Sequence, residues 1–235
     1  MMLSACNGGA GTPGTVSNNL LPPASGDAAA MAVNLSPINT QPGEVVGTPD
    51  KFHPHQGDSK AGGRGNKVNG IACDPIEYVN DYHVHADLVL IYKNQLVAVP
   101  TAIGMQHPGP KQNGYVTTAG CFYFLHTHDS SGYVHVETPK NVPLTKAIHP
   151  WGDFFDIWGV KLASDGLGPL KGTVHAFLGN VAQIPGQQTV SSYTAISVDS
   201  VRPTKIRSHQ VLVLAIDSPH VTASKLMPVT FYSEY

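Results

Sequence analysis

Five histidines and one glutamate fall into three short repeats of a single spacing: His83-Val84-His85, His126-Thr127-His128 and His135-Val136-Glu137. In an extended chain, side chains at i and i+2 point to the same face, roughly 6.5–7 Å apart along the strand. Two imidazoles so placed can converge on one metal ion. A lone His-x-His arises often by chance; two of them and a His-x-Glu, all in segments that read as strands, ask for a chemical reason. Imidazoles with a carboxylate suit Zn, Cu, Fe, Mn or Ni, with affinity peaking at copper. Three or more imidazoles without thiolate argue against iron–sulfur clusters and thiolate structural zinc. Copper(II) or zinc is the favoured cofactor, and five or more ligands suffice for two ions. Asp129 and Glu137 stand open between ligand, orienting partner of an imidazole and plain turn or surface residue.

The chain holds 12 histidines. His107 follows Met105, a soft ligand, but His107-Pro-Gly-Pro reads as a loop. His53 and His55 fall in a polar stretch, and His149, His175, His209 and His220 are read as structural.

Strands must carry the cluster. Residues 82–92 alternate, with Val84, Ala86, Leu88 and Leu90 on one face and His83, His85 and Asp87 on the other. A Lys93-Asn94-Gln95 turn returns the chain through 96–100. Residues 121–127 form a second strand, and 129–132 turn into its partner at 133–138. If the paired positions put His126 opposite His135, then His128 faces Tyr133, Glu137 shares the histidine face, and Tyr123, Leu125, Val134 and Val136 form an apolar one. A three-residue loop with a glycine bulge shifts that register by one and turns His135 away. The first register is favoured because it gathers histidines and apolar residues alike. Trp151, Phe154, Phe155 and Trp158 then mark one short helix between Pro150 and Gly159, its aromatic stripe core. Beyond it, 173–178 and 181–184 read as a hairpin around Gly179-Asn180, followed by strands at 196–199 and 210–216. The segments 88–100 and 174–185 look alike, weak evidence of two related β units.

The expected fold is mainly β, α+β with one short helix: an antiparallel sandwich or barrel-like sheet behind a disordered N-terminal tether. Residues 1–66 are rich in Gly, Ser, Thr, Pro, Asn and Ala, too poor in apolar surface to offset the entropy of ordering. Residues 67–160 form the His-rich unit and 161–235 a smaller β unit packed on it. A net charge of -2 with no Lys/Arg run excludes binding nucleic acid through its phosphates. No apolar run reaches the eighteen or so residues that span a bilayer. Serine-hydrolase, phosphate-loop and dinucleotide motifs are absent, and Ser130 and Ser131 sit in a hairpin turn, an unusual place for a nucleophile.

Two resemblances add to this. Leu3-Ser4-Ala5-Cys6 resembles the lipobox of bacterial lipoproteins, although only Met1 and Met2 precede it; the resemblance implies lipidation of Cys6, an extracytoplasmic position (periplasm or cell surface) and contact with membrane only through that anchor. With Cys6 so used, Cys73 and Cys121 remain as a pair. In an exported protein they suggest a disulfide closing about 49 residues, for which chain entropy gives about 4 kcal/mol. Thiolate ligation is the weaker alternative, since neither cysteine belongs to a Cys-x-x-Cys pair. The run from Cys121 to Glu137 (CFYFLHTHDSSGYVHVE), with Gly152 to Gly159 and the early His83-Val-His85, resembles a family of exported bacterial proteins. The motif is specific, covers about residues 70–160, and implies the site without a reaction. Similarity to cupins is loose, as their second motif is missing.

The expected function is extracytoplasmic binding of copper or zinc for buffering or delivery, the partners being the ion and, where the ion is delivered, another envelope protein. The alternative is a metalloenzyme, hydrolase or oxygenase, in which three histidines leave a coordination position open and Glu137 or Asp129 acts as base. A third reading is a surface interaction module stapled by a metal or a disulfide.

Overall fold

A computed structural model describes residues 35–49, 52, 63–79, 81–181 and 188–231. Cys6, His53 and His55 lie outside the described residues. In chain order the strands and helices are β1 (Ile38–Asn39), β2 (Tyr82–Tyr92), β3 (Gln95–Val97), β4 (Met105–Gln106), β5 (Cys121–Phe122), β6 (Leu125–His126), β7 (Tyr133–Thr138), α1 (Leu144–Ala147) and α2 (Trp151–Trp158). There follow β8 (Leu162–Ala163), β9 (Gly166–Leu167), β10 (Leu170–Lys171), β11 (Val174–Asn180), β12 (Thr189–Val190), β13 (Tyr193–Ile196), α3 (Val198–Val201), β14 (Gln210–Ile216) and β15 (Val229–Thr230). The protein is mainly β, as its alternation predicts.

The main sheet runs β13-β11-β14-β2-β7-β6, with β3 paired to the far end of β2. One edge of the long β2 is therefore shared: its first half pairs with β7 and its last three residues with β3. The sheet is open rather than a barrel, and β14 runs parallel to β2 where an all-antiparallel arrangement is expected. It draws strands from both sides of residue 160. The run 121–127 is not one strand. β5 pairs with β4 and β6 pairs with β7, because Tyr123 N–H turns away to the Gly104 carbonyl (2.8 Å).

Two other expectations fail for tertiary reasons. Gly179-Asn180 is no turn: β11 continues through both, paired with Val211 and Gln210 of β14, so ladder hydrogen bonds override local turn preference. Residues 182–187, which include most of the return strand expected there, lie outside the described residues. The strand expected at 196–199 ends at Ile196, where Ser197 caps the one-turn α3 by accepting from Ser200 N–H (3.2 Å). α1 is likewise an additional short helix. Residues 35–49, compositionally part of the tether, include β1, which adds to the small sheet β1-β15-β12 through Ile38 and Val229.

The sheet has two different faces. Leu88, Leu90, Val134, Val136, Leu125, Leu212 and Leu214 point to α2, whose Trp151, Phe154, Phe155 and Trp158 are fully buried among them. Full burial contributes about 2–3 kcal/mol per side chain, and Gly159 in the left-handed region (φ 76°) closes the helix. On the opposite face, Val89, Ile91, Val211, Val213 and Ala215 pack beneath the small sheet. The histidines continue that second face.

Candidate metal centre

Register puts the cluster together. His126 pairs with His135 across β6–β7, as the favoured hairpin register predicts. His85 pairs with His135 and His83 with Glu137 across β2–β7. Directly opposed residues share a face and stand about 4.5–5.5 Å apart at Cβ. Three neighbouring strands therefore present His83, His85, His135, Glu137 and His126 on one surface, and His128 joins from just beyond β6. All but His83 are at most 7% exposed.

The ring orientations are fixed from outside. His126 Nδ1 lies 2.9 Å from the Tyr123 carbonyl, His128 Nδ1 2.6 Å from that of Val116, and His83 Nδ1 3.1 Å from that of Val79. A carbonyl oxygen only accepts, so each Nδ1 carries the proton and donates it. Each Nε2 is then turned inward. His126 Nε2 and His128 Nε2 stand 3.0 Å apart, a gap that a shared proton or a bound cation fills. Tyr115 stacks flat on His128 (centroids 4.5 Å, planes 3° apart) and holds its ring. Gly104 passes so close that an added Cβ would lie 2.2 Å from the Leu125 carbonyl.

Two carboxylates reach the same atoms. Glu137 Oε1 is 3.1 Å from His83 Nε2, 3.3 Å from His135 Nδ1 and 3.8 Å from His126 Nε2. The contacts are close but not aligned as hydrogen bonds, and both Glu137 oxygens are buried without one. Glu77, from the loop before β2, lies 3.1 Å from His128 Nε2 and 3.6 Å from His126 Nε2. Burial opposes the Glu77 charge, but hydrogen bonds with His126 and His128 and their charges outweigh it and hold its pKa near 2. Burial, reinforced by neighbouring imidazoles, lowers His85 to about 3 and His135 well below its ordinary value. Both are thus neutral at pH 7, the form that binds metal. Burial also works against the charge of His126, yet Glu137 and Glu77 overcome it and raise its pKa.

Two sets of donors here are close enough to hold an ion: His126, His128, His135 and Glu137, and His83, His85 and His135, each with its donor atoms within 4.8 Å of one another. Asp129 belongs to neither. Its carboxylate accepts from Ser131 N–H (3.0 Å), Ser131 Oγ (2.6 Å) and Gly43 N–H (2.7 Å), which makes it the brace of the hairpin turn. His107 sits in a turn with φ 49°; His149 bonds Asp153 (3.2 Å); His175 and His220 are exposed and His209 half-buried. None of them joins the cluster.

Sequence reasoning misses Glu77, which lies in a loop without periodicity. The usable signal is the disulfide: Cys73 is bonded to Cys121, which places Glu77, four residues on, near His126, five residues on. Comparison with protein families, with curated proteins and with solved structures finds no match to this chain.

Proposed function

We propose that the chain binds a transition metal ion, copper or zinc, at this cluster and serves to buffer or deliver it outside the cytoplasm. The observation that carries the reading is the set of three Nδ1–H donors, on His83, His126 and His128, tied to backbone carbonyls with each Nε2 turned inward. Metal-binding imidazoles are oriented by that kind of outer hydrogen bond. Burial supports a carrier over an enzyme acting on a bulky substrate: the donors reach solvent chiefly at Glu77, 20% exposed, and His83, 12% exposed. Such an edge admits an ion.

The disulfide is consistent with an extracytoplasmic setting, and among the described residues no helix is long and apolar enough to cross a membrane. In this reading Cys6 supplies the lipid anchor, and the chain belongs with the exported bacterial proteins that its Cys121–Glu137 run resembles.

The test is metal content by mass spectrometry on the full chain, purified without chelator or affinity histidines, beside His126→Ala/His128→Ala. Bound copper or zinc that disappears in the double variant is the expected result. A folded protein that carries no transition metal and cannot be loaded with one overturns the proposal.

A further inference from the structure

The donors divide into two groups rather than one. His126 Nε2, His128 Nε2 and Glu77 Oε1 form a triangle with sides of 3.0, 3.1 and 3.6 Å. His83 Nε2, His135 Nδ1 and Glu137 Oε1 form a second, with sides of 3.2, 3.1 and 3.3 Å. Around an ion with bonds of about 2.1 Å, adjacent ligands stand about 3.0 Å apart in octahedral geometry and about 3.4 Å in tetrahedral. Each triangle thus has the size of one face of a coordination shell. A tetrahedral ion takes four ligands, fewer than the six side chains gathered here, so one such ion leaves donors unused.

His85 extends the second group. Its ring centroid lies 4.4 Å from that of His83 and 4.6 Å from that of His135, and its Nε2 is buried without a hydrogen bond. The groups touch at Glu137, whose Oε1 faces His83 and His135 on one side and His126 on the other. A carboxylate with both oxygens buried and neither hydrogen-bonded is costly unless a cation meets it.

We propose that the centre takes two transition metal ions: one on His126, His128 and Glu77, the other on His83, His85 and His135, with Glu137 between them as the shared carboxylate. Two such ions stand about 3.5–4 Å apart in carboxylate-bridged sites generally. Glu77 is then a ligand of the first ion and leaves the second untouched, while His83 and His85 serve only the second.

The inference rests on the metal-binding reading above but fails separately from it. Titration of the full chain with Zn(II) or Cu(II), followed by equilibrium dialysis, is expected to saturate at two equivalents. Glu77→Gln and His85→Ala are each expected to saturate at one, with circular dichroism confirming that both fold. Fully loaded with Cu(II), the wild-type protein should give a paramagnetic resonance signal well below two spins, because neighbouring ions couple. No uptake overturns both proposals. Saturation at a single equivalent overturns this one alone and needs no variant to show it, as does a full two-spin signal from uncoupled ions.

Discussion

Removing the Cys73–Cys121 disulfide separates two roles that the structure assigns to that corner of the fold. The bridge spans 48 positions, so in the unfolded chain it closes a loop whose entropy is worth about 4 kcal/mol. Cys73→Ser/Cys121→Ser should therefore lower stability by about 4 kcal/mol. For a fold of this size that is about 2 M in a urea midpoint if the slope is about 2 kcal/mol per M. The native neighbourhood is braced without sulfur. Asp74 and Phe122 exchange two backbone hydrogen bonds of 2.8 and 2.7 Å. The Asp74 carboxylate accepts from Ile76 N–H (2.9 Å) and Tyr78 OH (2.9 Å), which holds the turn carrying Glu77. Native metal affinity should consequently fall less than tenfold. Urea unfolding followed by fluorescence of the buried Trp151 and Trp158, with chelator present to remove linked metal stabilisation, reads the first quantity; calorimetric titration reads the second. A midpoint shift below about 0.5 M, or an affinity that collapses while stability holds, refutes the reasoning.

Two more outcomes follow from the same face. Asp87 is buried with neither carboxylate oxygen hydrogen-bonded, and burial, aided by the charge of Asp129, raises its pKa from 3.8 to about 8. The folded state thus holds a proton that the unfolded state gives up, so the stability contribution is complete below about pH 4 and drains away as pH rises to about 8. At 1.4 kcal/mol per unit this reaches about 6 kcal/mol; Asp87→Asn should flatten the profile of the metal-free protein, and superimposable profiles would sink the argument. At Gly132 (φ 100°) an added Cβ would sit 2.4 Å from the Leu88 carbonyl and 2.6 Å from Asp87 Oδ1. Leu88 N–H is itself bonded to the Gly132 carbonyl (2.9 Å), so the backbone has little room to yield. Gly132→Ala should cost about 3 kcal/mol in chemical denaturation; a loss under 0.5 kcal/mol contradicts it.

What was legible in the sequence was whatever two independent patterns agreed on. The hairpin register could be chosen because one alignment placed both His126 against His135 and Leu125 against Val136, and both pairs are present. The helix between Pro150 and Gly159 was legible for the same reason, its aromatic spacing matching its end signals. Features set by distant contacts were not. Nothing in 210–216 announces that it inserts parallel to β2, and the break between β5 and β6 depends on Gly104, nearly twenty residues upstream. Asp129 has the neighbours of a ligand, yet three donors consume its carboxylate in the turn.

β2 shows why the site can exist in so small a fold. Its helix-facing side is apolar from Val84 to Leu90, while its other side changes character midway: Ile91 and Val89, then Asp87, His85 and His83. The apolar half lies under the small sheet β1-β15-β12. Loops cover the histidine half, and that difference is chemical. A covering strand spends its carbonyls on ladder bonds, whereas loop carbonyls remain free to accept from a side chain. Those of Val79, Val116 and Tyr123 do so, and they come from three separate stretches of chain. Each loop that orients an imidazole is therefore tied by it to the centre, and an ion bound there draws all three stretches onto the same sheet.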